Sequence, residues 1–193
     1  MKKGGNIIVD KNEMIAEKRQ EYLAYIKEHI NNVKNAWVNM ISIPEIQEFL
    51  SGFENSRQLI AITADNIKVH DQSKYSDEEF EPYRRHFHYI DEKEKEESEA
   101  DFEKAWDHHK DNNMHHWNWW ADHNQSDKMS IPFVLEMCCD WIAMSMKFQK
   151  NNAYEWYLDN KNEIILGVFQ KSIMETILTT YYKYFDIAGN SIK

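Results

Sequence analysis

"SIPFVLEMCCDWIAMSMKF", residues 130–148, decides the fold class. Its apolar positions Phe133, Met137, Trp141, Met144 and Phe148 recur at intervals of three and four, the period of a helix face rather than of a strand. Ser130 is placed to cap that helix, and Pro132 is tolerated in its first turn, where the backbone N–H has no helical partner to lose. One residue breaks the apolar stripe. Asp140 falls three residues after Met137 and four before Met144, so the helix carries a carboxylate on its buried face. A carboxylate there needs a cation or hydrogen-bond donors to offset its desolvation. Glu136, four residues earlier, lies on roughly the same side.

The same period runs through the rest of the chain. From Glu13 to about Met40, residues Ile15, Tyr22, Ile26, Val33, Trp37 and Met40 mark one face of a long helix, and His29 falls on that face. Pro44 closes the region. A second helix is predicted over Ser56 to Val69, with Leu59, Ile62 and Asn66 in phase and His70-Asp71 at its C-terminal end. Ser76 with Glu79 has the form of a capping box, which predicts a helix from Asp77 through Phe80, Tyr83 and Phe87. Further helices are expected through Phe102, Ala105, Trp106 and His109 and over Asn162 to Tyr184. The charge run "DEKEKEESEAD", residues 91–101, reads as a solvated helix or loop. Only 5 Gly and 3 Pro punctuate the 193 residues, and no run alternates β-branched residues between hairpin turns, so the expected class is all-α. Without a repeat, linker or shift in composition, the chain reads as an N-terminal extension, residues 1–12, and a single helical domain, residues 13–193.

With 42% hydrophobic and 13% aromatic residues the chain can bury a sizeable core, which argues against disorder throughout. A formal net charge of -10 excludes a broad basic face that would grip duplex nucleic acid. The two cysteines, Cys138 and Cys139, are adjacent, a spacing that fits neither a loop-closing disulfide nor a CxxC metal or redox pair, so a reduced, cytoplasmic protein is expected. "MKKGGNIIVD" is basic but too short in apolar residues for a signal peptide or a membrane span.

Inward His29, helix-terminal His70-Asp71, the pairs His108-His109 and His115-His116, and inward Asp140 together offer the nitrogen and oxygen ligands that divalent transition metals favour. Each alone has an ordinary reading: a hydrogen-bonded core histidine, a lysine-paired carboxylate, exposed loop histidines. Among the central histidines His109 shares the face of Ala105 and Trp106, whereas His108 is offset. His86, His88 and His123 read as surface or packing residues. The order H…HD…HH…HH…D resembles the HD-domain superfamily of helical, metal-dependent phosphohydrolases, and "HDQSK", residues 70–74, resembles the HDxxK form of some of its branches. More closely, "HDQSKYSDEEFEPYRRHF", "AWDHHKDNNMHHWNWW" and "EMCCDWIAMSMKF" look like a family of bacterial and phage proteins described as a domain of unknown function, over roughly residues 20–185.

The resemblance implies an HD-like helical bundle in which His29, His70, Asp71 and Asp140 bind a first metal, with His109, His115 and His116 as candidates for a second. One or two divalent ions are implied, with Mn, Fe, Zn, Co and Ni all compatible. The activity implied is hydrolysis of a nucleotide or another small phosphoester by metal-activated water, in the cytoplasm, or in the host cytoplasm for a phage-encoded chain. In that reading Asp71 both ligates and orients the water, Lys74 faces the substrate phosphate, and Arg84 or Arg85 clamps it, unless they pair on the helix surface with Glu78, Glu79 or Glu81. Glu136 serves as an acid–base group or as a hydrogen-bond partner of a ligating histidine. Trp117, with Trp119 and Trp120, could stack a nucleobase, although packing is the commoner role. The same ligand set suits an HD-type di-iron oxygenase. A non-catalytic binding protein that keeps a structural metal is the third reading, and an oligomer is compatible with all three.

Overall fold

The stretch 130–148 forms one helix, residues Ile131–Phe148, whose middle is buried almost all round. Leu135, Met137, Cys138, Cys139, Ile142 and Ala143 are each at most 1% exposed. This helix is the seventh of nine α-helices among the described residues, 10–193, of the computed structural model. The others are α1 (Lys11–Ser42), α2 (Pro44–Ser51), α3 (Ser56–Val69), α4 (Phe80–Phe87), α5 (Glu92–Asn112), α6 (Trp117–Asp122), α8 (Ala153–Asn160) and α9 (Val168–Tyr181), with a 3₁₀ turn at Gln72–Tyr75. No strand occurs among these residues beyond an isolated antiparallel bridge between Phe185 and Ser191. The protein is all-α. No helix among the described residues is long and apolar enough to cross a membrane. Residues 1–9 of the expected N-terminal extension lie outside them, and Lys11 and Asn12 already belong to α1.

The chain forms two compact units, and α1 and α5 supply residues to both. In the unit comprising Glu28–Gln72 and Lys110–Lys193, α7 packs against α3, α8 and α9, and α2 packs against α3 and α9. Its core joins Val33, Trp37 and Met40 of α1 to Ile46 and Leu50 of α2, the middle of α7, and Ile173, Ile177 and Tyr181 of α9. The other unit contains α1 as far as Lys27 together with Ser73–His109. There Tyr22 packs on Phe80, and Phe102 lies between Tyr83 and a stacked His86.

Several local expectations are revised. Ser130 precedes α7 in an extended conformation, yet its side chain makes no capping hydrogen bond. Phe148 is 56% exposed, because α7 emerges from the core at its last turn before Gln149 reverses the chain in a left-handed conformation. On α3 the buried face is Leu59, Thr63 and Ile67, and Ile62 is exposed. The Ser76–Glu79 capping box does not form. Helix α4 begins at Phe80, and the Glu79 carboxylate is buried against His108 and His109 instead of reaching back to the backbone. The expected helix over Asn162 to Tyr184 is shorter, running only from Val168 to Tyr181. It is preceded by α8, which an Asn152–Glu155 capping box initiates.

Gly167 immediately precedes α9 where the backbone of Asp127 passes close by. A Cβ at that position would lie 2.7 Å from Asp127 Cα and would collide with Gln170 Oε1. Gln170 has little room to retreat, since its amide donates to the carbonyls of Asp127 and Met129 at 2.9 Å each. Gly167→Ala is therefore expected to destabilise the fold by about 1–3 kcal/mol, the range for overpacking a closed site. Gly52→Ala, where the added atom meets only Phe49 O at 3.4 Å, is expected to be close to neutral. Urea denaturation midpoints of the two variants check the contrast.

Candidate metal centre

Four segments of the larger unit deliver its buried polar side chains to one place. Ile26 and Val33, each fully buried, fix the inward face of α1, and His29 lies between them, 5% exposed. The inward face of α3 continues past its last turn to His70, 1% exposed. Asp71 then adopts the left-handed region, φ 55°, which aspartate tolerates better than most residues and which turns its carboxylate back beside His70. Helix α7 contributes Glu136 and Asp140 one turn apart. The segment between α5 and α6 contributes His115, 1% exposed.

The ligating atoms converge. His29 Nε2 lies 3.1 Å from Asp140 Oδ1, 3.3 Å from Asp71 Oδ2 and 3.3 Å from His70 Nε2. His70 Nε2 lies 3.6 Å from Asp71 Oδ2 and 3.9 Å from Asp140 Oδ1. A transition metal holds imidazole nitrogens and carboxylate oxygens at roughly 2.0–2.2 Å, which sets those atoms roughly 3–3.5 Å from one another. The observed spacings are close to that requirement, so His29, His70 and Asp140 can hold a metal ion, with Asp71 Oδ2 beside the two histidines.

Glu136 organises the histidines. Its Oε1 accepts from His70 Nδ1 at 3.0 Å and lies 3.2 Å from His115 Nδ1. A proton on His70 Nδ1 leaves the Nε2 lone pair of that ring for a cation, the usual task of a carboxylate behind a ligating histidine. His70 Nε2 lies 3.3 Å from His29 Nε2, and His115 Nε2 lies 3.8 Å from Asp71 Oδ1. Among the described residues neither buried His115 nitrogen has a hydrogen-bond partner. Asp71 thus turns one oxygen toward His29 and His70 and the other toward His115, and it and His116 offer ligand atoms within 4.8 Å of each other.

The protonation pattern fits this arrangement. Burial disfavours a charged imidazole at His29, but the Asp140 and Asp71 carboxylates outweigh it and raise the group to about 9. The proton on His29 thereby supplies a positive charge to the place where Asp71 Oδ2, Asp140 Oδ1 and His70 Nε2 meet. Burial dominates at His70 and pushes it down, which keeps the ring neutral. At Asp140 the neighbouring histidines, His29 first, overcome burial and hold the carboxyl well below its usual range. At Glu136 hydrogen bonds from His115 and His70 overcome burial and hold the group down at about 2. A carboxylate so held is ionised near neutrality, and of the two roles expected from sequence its hydrogen bond to His70 matches that of a partner to a ligating histidine.

The other expected site residues are placed as follows. His109 is buried in the smaller unit, where its Nδ1 bonds Glu79 Oε2 at 2.8 Å and Ser73 Oγ at 3.3 Å; His108 bonds the other Glu79 oxygen at 2.8 Å. His116 packs against His115 with ring centroids 4.2 Å apart and planes tilted by 40°, and it precedes the first turn of α6. Lys74 stands over the Tyr83 ring. Arg84 is only 1% exposed and is held by Glu81 and by both oxygens of Glu94, which removes it from the substrate-clamp role; Arg85 pairs with Asp101 at 3.2 Å. His86 stacks on Phe102, His88 pairs with Glu21, and His123 bonds the Trp119 carbonyl. Two cavities adjoin the centre. One, of about 560 Å³, includes Asp140, Trp141, Lys150 and Trp156 in its lining. The second, of about 290 Å³, includes His115, His116 and Trp117 and shares Trp141 and Trp156 with the first. Trp156 escaped the sequence reading because α8 itself did.

Fold and cluster define an all-α protein with a buried histidine and carboxylate centre able to hold a metal ion. The chain belongs to a family of unknown function, DUF5662, whose model matches residues 18–182, a span that contains every candidate ligand from His29 to Asp140. No curated protein and no solved structure matches it.

Two outcomes follow from the geometry. Glu136→Gln is expected to weaken metal binding about 10- to 100-fold, the usual consequence of removing a carboxylate that orients ligating histidines, as read by competition with a chelator. Metal binding requires neutral His29, and its pKa of about 9 lies above the ordinary 6.5. In the absence of metal the stability from protonated His29 is fully present below 6.5 and is lost as pH rises through about 9. Between those values binding is expected to release a proton from His29 and to tighten about tenfold per pH unit from this group alone. Calorimetric titrations in two buffers of different ionisation enthalpy count that proton.

Proposed function

We propose that the protein is a metal-dependent phosphohydrolase of the HD type, acting on a nucleotide or another small phosphoester. The observation that carries the reading is the meeting of His29 Nε2, His70 Nε2, Asp71 Oδ2 and Asp140 Oδ1 beside a cavity that Asp140 helps to line. The four residues that would hold a first ion are those that the resemblance to the HD superfamily implies. A bound ion would supply Lewis acidity, lowering the pKa of water toward neutrality and offsetting phosphate charge.

The chain's own residues support that chemistry in definite ways. Glu136 keeps His70 in the tautomer whose Nε2 accepts and lies 3.2 Å from His115 Nδ1. Asp71, bonded through one oxygen toward His29 and His70, retains a second oxygen facing His115, a position from which a carboxylate can accept a proton from water or orient it. Burial of His29, His70 and Asp71 at 5% exposure or less excludes bulk water from one side of the centre. Asp140, whose side chain is 14% exposed, opens the other side.

The test begins with protein purified without added metal. It is expected to carry at least one equivalent of a divalent transition metal, lost in His70→Ala, and to hydrolyse members of a broad phosphoester panel. Asp71→Ala, checked for retained helicity by circular dichroism, is expected to fall to the uncatalysed background. Wild type and Asp71→Ala behaving alike across the panel would overturn the reading. Two equivalents of iron with oxygen consumption would instead identify the di-iron oxygenase chemistry that the same ligand set allows.

A further inference from the structure

Where α7 ends, the chain builds a wall. Gln149 turns it through the left-handed region, φ 50°, and Lys150 and Asn151 lead into α8. The reciprocal Asn152–Glu155 hydrogen bonds fix the first turn of α8, and Asn151 Nδ2 donates to Asp159 at 3.2 Å. These ties orient Trp156, whose ring meets Trp141 of α7 edge-to-face at 5.2 Å. The cavity of about 560 Å³ between these elements is walled by Trp141, Met144, Phe148 and Trp156, with Lys150 at its edge and Asp140 at the metal centre. Its size falls within the range of small-molecule sites. Lys150 is exposed and forms no ion pair with a described residue.

We propose that this cavity selects substrates by their organic body: a phosphoester whose leaving group carries a planar aromatic ring for the cavity to hold, such as an aryl alcohol or, through its base, a nucleoside, in preference to a polyol phosphate. The assignment rests on the phosphohydrolase reading for the phosphate end and on the cavity alone for the body. A sugar or glycerol moiety would lose hydroxyl hydration against two indoles, a thioether and a phenyl ring, and the polar lining residues Ser145 and Asn151 already donate to Trp141 O and Asp159. A planar apolar group gains stacking and buried area on those surfaces. Lys150 adds a positive charge to the cavity lining that attracts either anion and does not discriminate between bodies. Trp156 and Trp141 are therefore specificity-determining residues.

The test uses binding, apart from turnover. 1-Naphthylphosphonate, which cannot be hydrolysed at its P–C bond, and glycerol 3-phosphate are titrated into the protein as purified, by calorimetry and by tryptophan fluorescence. The naphthyl compound is expected to bind at least about tenfold more tightly and to quench the fluorescence. Trp156→Ala, at a residue 40% exposed, is expected to remove about tenfold from the naphthyl affinity while leaving glycerol 3-phosphate unchanged. Lys150→Met is expected to weaken both by about threefold. Equal affinity for the two compounds, binding of neither, or a Trp156→Ala variant with an unchanged ratio would overturn the proposal. Naphthyl selectivity without hydrolysis of any phosphoester would leave the cavity assignment standing and remove the phosphohydrolase reading. Hydrolysis without selectivity would do the reverse.

Discussion

The contact between Glu136 and His70 organises the centre around it. A buried carboxylate needs donors, and Glu136 finds one in His70 Nδ1, with His115 Nδ1 3.2 Å from the same oxygen. Satisfying Glu136 in this way sets the tautomer of His70, and both rings turn their Nε2 atoms away from the carboxylate. Those nitrogens then face Asp71, while His29 and Asp140 complete the group. The result is a dense set of acceptors with too little positive charge of its own. A proton on His29 supplies that charge in the absence of an ion, and a divalent cation would supply more of it at the same place.

Helix α7 makes the arrangement rigid. Because neighbours bury its middle on nearly every side, Glu136 and Asp140 cannot rotate out to water without disturbing the packing of Met137, Cys138 and Cys139. The adjacent thiols belong to that packing, and burial holds both well above the ordinary thiol range, so they act as small apolar residues and not as metal ligands. The exit of α7 from the core then serves a separate purpose, since the turn at Gln149 and the start of α8 frame the larger cavity.

The smaller unit repeats the chemical device by other means. Glu79, fully buried, accepts from the Nδ1 atoms of His108 and His109 through its two oxygens, as Glu136 holds His70 and His115 through one. Arg84, equally buried, is neutralised by Glu81 and Glu94. Both groups had surface readings in the sequence, as a helix cap and a phosphate clamp. Each is interior because partners satisfy its charge, from about thirty residues away for Glu79 and from within ten for Arg84, which is the condition for burying it at all.

Helical period is a local property, and it carried the reading far. It placed His29 on the inward face of α1, Asp140 on the inward face of α7, and His70-Asp71 at the end of α3, whose observed bounds are the expected ones. It also marked the chain as all-α, since side-chain spacing and the scarcity of Gly and Pro reflect the backbone conformation directly. Period is silent between helices, where His115 and His116 lie, and it does not reveal which carboxylate faces which ring. Those choices are made by tertiary packing, because an ionisable group goes inside only where partners from other segments meet it. The pairing of Glu136 with His70 and His115 and the enclosure of Glu79 by His108 and His109 required segments far apart in the chain to be brought together.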